Sequence, residues 1–166
     1  MALAMTYLRL PLDGEADPGR VARQVFGAPT WRQRPAEQLL DLAGAWQGLH
    51  YMITGDPWEG RSPEADIVCG GRLLTEDGAD ELGFDVIYLS SDRVKTAADH
   101  LVATPFPSRR YDLDAMIEAG VQGAREWAQR PLDEPRDRFL RPAYDAVSRF
   151  FSDAATQGQS IFKTMG

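Results

Sequence analysis

The chain has 166 residues, 43% of them apolar and 26% charged, and its 25 acids against 18 bases give a net charge of −7. That length suits a single domain, expected to span 1–166, which buries about two thirds of its extended surface and needs no disulfide or metal staple. The charge disfavours non-specific nucleic-acid binding, and no apolar run approaches the ~18 residues of a membrane-spanning helix.

The bases are nearly all arginine, with Lys95 and Lys163 the only lysines, and asparagine is absent. This pattern reads as the codon bias of a GC-rich bacterial genome. The N-terminal residues lack a basic segment followed by an apolar one, because Arg9 and Asp13 come too early, so a cytoplasmic protein is expected. The single cysteine, Cys69, follows the apolar pair Ile67-Val68 and reads as a buried structural thiol.

In chain order, Leu3 to Leu10 reads as a strand closed by Pro11. Asp17-Pro18 is an N-cap with proline at the first helical position, and Val21, Val25 and Gly27 complete a short helix. Residues 28–34 form a loop around Trp31. Leu39, Leu42, Ala43, Trp46, Leu49, His50 and Ile53 recur at spacings of three and four, which predicts an amphipathic helix from Pro35 to Gly55. Gly44 and Gly48 would each weaken that helix by roughly 1 kcal/mol, implying close approach of another backbone.

A loop follows at Asp56-Pro57-Trp58-Glu59-Gly60, then a short apolar segment at 65–69 and a tight turn at Gly70-Gly71. Arg72 to Thr75 reads as a strand, Asp77-Gly78 as a turn and Phe84 to Leu89 as a further strand. Ser90 or Ser91 caps a helix whose buried face is Val94, Ala98, Leu101 and Val102, ended by Pro105 and Pro107. A helical turn is expected over Leu113 to Ala119. The last long helix carries Phe139, Ala143, Val147, Phe150 and Ala154, with Pro142 either starting or kinking it. Ile161 to Met165 is a closing strand. The whole is an α+β domain, a small mixed sheet packed with several helices.

Candidate chemistry is sparse. No HExxH, GxSxG, Walker or GxGxxG pattern occurs, and one cysteine with two histidines cannot build a thiolate zinc site. The acids Asp77, Asp80, Glu81 and Asp85 miss the offsets of a calcium loop and read as a solvated turn. No catalytic residue, metal or cofactor is assigned. His50 lies four residues after Trp46, so both project from one helix face, and Asp56 and Trp58 follow closely. A histidine with an acidic partner can act as general base. No nucleophile is paired with it, which favours a helix-face residue bonded to a backbone carbonyl. Arg109-Arg110 with Tyr111 suits a phosphate or acidic partner, or reads simply as a surface pair.

The segment Leu42 to His50, Leu-x-x-Ala-Trp-x-Gly-Leu-His, with Thr54-Gly55 behind it, resembles the YfbM-like family, a bacterial domain family of unknown function. Tyr7-Leu8-Arg9, Gly70-Gly71, Tyr88-Leu89-Ser90 leading to Val94, and Phe150 through Ala154-Ala155 to Gly158 resemble its other parts in order. Pro142 and the stretch from Gln122 to Arg141 depart from the pattern. The resemblance implies a small bacterial α+β protein and brings no activity with it. Two readings of function follow. The first is a non-catalytic module binding another bacterial protein, in the manner of an immunity protein, since acidic surfaces steer basic partners. The alternative is a small-molecule-binding protein or small hydrolase-like enzyme with a pocket at Trp46 and His50, rimmed by Asp56 and Trp58.

Overall fold

A computed structural model of the chain describes residues 2–76 and 79–166; the turn expected at Asp77-Gly78 lies outside them. Five strands form one sheet: β1 (Met5–Leu10), β2 (Leu39–Ala43), β3 (Arg72–Leu73), β4 (Asp85–Leu89) and β5 (Ser160–Met165), in the order β2-β1-β5-β4-β3. Every pairing is antiparallel, so the α+β class holds while the sheet is not the mixed one expected. The two chain ends meet at its centre, with Met5 opposite Met165 and Leu10 opposite Ser160. Both faces are covered, which is why all six residues of β1 are buried.

On one face, Leu8, Val86 and Phe162 pack against Ala22 and Phe26 of α1 (Pro18–Phe26) and against Trp31. Asp17 caps α1 from its carboxylate to the Gly19 N–H, 3.2 Å away, as the Asp-Pro signature predicts. On the other face, Met5, Tyr7, Leu89 and Ile161 pack against α2 (Trp46–Thr54), α4 (Ser91–Ala103) and α7 (Arg141–Thr156). A satellite core joins α2 to α5 (Leu113–Glu118) and α6 (Ala124–Trp127) through Met52, Met116, Ala124 and Trp127. A four-residue helix, α3 (Ala79–Leu82), precedes β4.

The long helix expected from Pro35 to Gly55 is not formed. Leu39 to Ala43 pairs with the free edge of β1, and the chain turns at Ala43 (φ 47°) before α2 begins at Trp46. A helix there would leave the edge of a buried strand unpaired, so sheet pairing overrides the local periodicity. Gly55 ends α2 as predicted, in the left-handed conformation at φ 84°. Gly48 does mark a close approach, but to a side chain. A Cβ there would stand 2.6 Å from the Trp127 ring.

Val102, expected on the buried face of α4, is 77% exposed, and Ala97 takes its place beside Val94, Ala98 and Leu101. Pro142 both starts and distorts. It stands in the first turn of α7, and because it offers no N–H to the turn before it, Arg136–Leu140 winds as a π-helical turn. That turn leaves Phe139 40% exposed and buries Leu140 instead.

Candidate functional site

Trp46 and His50 are both 0% exposed, so a pocket around them is not open in this structure. Trp46 belongs to the core and donates from Nε1 to the Leu3 carbonyl at 3.0 Å. His50 lies one turn further along α2 and stitches two later segments to the helix. Its Nδ1 accepts from the Cys69 N–H at 3.4 Å, which fixes the proton on Nε2, and Nε2 donates to the Glu59 carbonyl at 2.9 Å. Burial holds its pKa below the ordinary histidine value, against the opposing pull of the Glu59 carbonyl. With both nitrogens engaged by backbone, the ring has no free site for proton transfer.

Asp56 acts on the loop rather than on the imidazole. Its Oδ1 accepts from the N–H groups of Trp58 (2.8 Å) and Glu59 (2.7 Å), and these bonds hold the carboxyl below its usual pKa. Thr54 Oγ1 accepts from the Asp56 N–H at 3.2 Å, and Gln47 Nε2 donates to the Pro57 carbonyl at 3.2 Å. Gly60 closes the loop where a Cβ would stand 2.8 Å from the Thr54 methyl. Residues 55–59 are thus held through at least one backbone polar group each. What they present is Trp58, 51% exposed, in tilted contact with Trp46 at a centroid distance of 5.3 Å. Of the four residues singled out from sequence, three are therefore scaffold and one is surface.

Beneath the next stretch lies a buried polar bracket that the sequence did not reveal. Lys163 on β5 stands opposite Tyr7 and Ile87 and is 0% exposed. Its Nζ donates to the carbonyls of Asp66 and of Gly70 (2.7 Å), and Tyr7 OH donates to the Ile67 carbonyl at 2.7 Å. Arg93 of α4 grips the Asp66 carboxylate through Nε at 2.9 Å and through Nη2, with Ser62 Oγ completing the set. Burial lowers the Lys163 pKa to about 7, raises that of Tyr7 well above 10 and pushes the Cys69 thiol up to about 12. A thiol so shifted holds almost no thiolate at neutral pH and is not a nucleophile. Gly70 and Gly71 make the tight fit possible, since a Cβ would meet Ala65 O at 2.6 Å and Tyr88 O at 2.7 Å. A lysine between the apolar Ile161-Phe162 and Met165 of the closing strand was the available signal.

Among the described residues, no three His, Cys, Asp or Glu side chains are grouped to hold a metal ion, and no helix is long and apolar enough to cross a membrane. The family model of a domain of unknown function, DUF1877, matches residues 3–164. Among solved structures, the chain is similar to YfbM from Escherichia coli, itself titled a protein of unknown function, with a TM-score of 0.66 over 98% of this chain and 99% of that one at 10% identity. No curated protein matches. The structural likeness is one of fold alone.

Proposed function

The chain belongs to the DUF1877 family, the YfbM-like fold, and we propose that within it this protein is a non-catalytic module that binds another bacterial protein through the Trp58 loop. The observation that carries this reading is a half-exposed tryptophan on a loop whose backbone is already fixed by His50, Asp56, Gln47 and Thr54. Tryptophan is among the residues most enriched at binding hot spots. A pre-ordered loop also avoids the entropy cost of immobilising the anchor on association. The net charge of −7 suits a basic partner.

The test is binary binding between the purified chain and the protein it retains in its host. Trp58→Ala should weaken the complex by at least tenfold while leaving the circular dichroism and unfolding transition close to wild type. Equal retention of the partner by Trp58→Ala would end the reading.

A further inference from the structure

A cleft of the molecule lies away from the Trp58 ring. It opens between the C-terminal end of α4, the segment running from Pro105 to Arg110, the last turn of α2 and Tyr144 of α7, and encloses about 560 Å³. That falls within the roughly 300–1,000 Å³ range of small-molecule sites. Its floor is apolar and ordered. Ile53 and Tyr144 are buried, Phe106 stands edge-on to Tyr144 with centroids 5.5 Å apart, and Tyr144 OH is occupied by the Thr104 carbonyl at 2.8 Å. The Arg141 guanidinium covers Phe106 at 4.5 Å, so the aromatic wall is held in place.

The rim has a different character. Arg109 and Arg110 both line the cleft, and neither forms an ion pair with a carboxylate among the described residues. Arg110 is anchored through Nη1 to the Ile53 carbonyl, with the Met52 carbonyl at 3.5 Å, at the end of α2, and Nη2 forms no hydrogen bond among the described residues. Arg109 has no hydrogen-bond partner among the described residues and is exposed. His100 adds an imidazole to the same lining, and the carboxylate of Glu64, from the stretch between α2 and β3, pairs with neither arginine. On a chain carrying 25 acids against 18 bases, two adjacent arginines without a carboxylate partner among the described residues at an apolar mouth run against the overall charge. A planar guanidinium fork matches a carboxylate or phosphate oxygen pair, and the floor below it matches a flat apolar group.

We infer that this cleft binds a small organic anion, a carboxylate or phosphate carried on a flat apolar body, with the anionic group on Arg109 and Arg110 and the body against Phe106 and Tyr144. The cleft includes neither Trp58 nor any other residue of 54–60, although Glu64 and Ile67 of the stretch that follows line it.

The full chain is titrated with 1-naphthoate, phenyl phosphate, the neutral isostere 1-naphthamide and inorganic phosphate, following the His100 ring and Ile53 methyl signals by NMR. One or both aryl anions should saturate with shifts at these groups. The amide and inorganic phosphate should bind at least tenfold more weakly, and added salt should weaken the aryl anions. Arg109→Glu should reduce anion affinity by at least tenfold with an unchanged unfolding temperature, whereas Trp58→Ala should leave it unaltered. Equal affinity for the amide, anion binding that survives Arg109→Glu, or no saturable shift with either aryl anion would each overturn the inference. Saturation of these signals by a polypeptide alone would overturn it too.

Discussion

The loop from Gly55 to Gly71 and the cleft beside Phe106 both lean on α2, yet they treat polar groups in opposite ways. In and around the loop, His50, Asp56, Asp66, Arg93 and Lys163 each have partners, most of them backbone groups close at hand. At the cleft, Arg109 has none among the described residues, and Arg110 has only the end of a helix. A buried polar group whose bonds are complete is committed to geometry, because any other use would leave a desolvated atom without a partner. A charged group left open at a concave surface is available to something outside. By this criterion the histidine that draws the eye in the sequence is architecture, and the arginine pair that reads as ordinary surface is the better ligand contact.

The largest test of that contrast is Lys163→Ala. It leaves the Asp66 and Gly70 carbonyls without their donor and opens space between β5 and the loop, and is expected to cost about 4 kcal/mol by urea unfolding. Amide exchange at 67–70 should accelerate more than at α4. A loss under 1 kcal/mol would mean that the bracket does not hold the loop.

Titration offers the next test. Lys163 releases its proton near pH 7 in the folded chain and near 10.5 when unfolded, so across that interval the unfolded chain holds more protons and stability rises with pH. Cys69 acts in the opposite sense from about pH 9 upward, since its folded pKa is raised to about 12. Tyr7 adds to that opposition above pH 10. The urea midpoint should therefore climb from pH 7 to about 9 and then level off, with the climb abolished in Lys163→Met and prolonged in Cys69→Ser. On the acid side, His50 is held neutral by burial, so the stability it contributes is complete above pH 6.5 and declines as pH falls below that. His50→Gln should flatten this acid limb; an unchanged limb would place the titration elsewhere.

How much of this could be read from the chain depended on how far apart the partners lie. Asp17-Pro18, Ser90, Gly55 and the closing strand carry their signals within a few residues, and each was found where its chemistry placed it. The segment from Leu39 to Ala43 has a helical spacing, but it became a strand because β1, more than thirty residues earlier, required an edge partner. Gly48 was readable as a close contact, though not that the contact would be Trp127, some eighty residues on. The bracket was harder still. It assembles Tyr7, Asp66, Arg93 and Lys163 by sheet register, and no local pattern announces which residues a register will bring together. Likewise Asp56 and His50 were correctly placed near each other in sequence, but both spend their hydrogen bonds on the loop that carries Trp58.

The smallest effect separates the two regions most sharply, because it compares the same side chain in each. Arg93 is about half exposed, yet it faces an Asp66 carboxylate whose side chain is only 3% exposed. Arg93→Ala leaves that carboxylate with Ser62 Oγ as its remaining side-chain donor, and is expected to cost about 1.5 kcal/mol. Arg109→Ala removes an equal charge with no partner to orphan, so its cost should stay below about 0.5 kcal/mol. Solvent exposure alone does not predict this difference, since both arginines reach water. What predicts it is the state of the group left behind. If Arg109→Ala instead destabilised the chain as much as Arg93→Ala, the guanidinium at the cleft would be serving the fold. Stability unchanged in Arg109→Ala, together with anion affinity lost in Arg109→Glu, would show that the fold does not need that charge and that a ligand does.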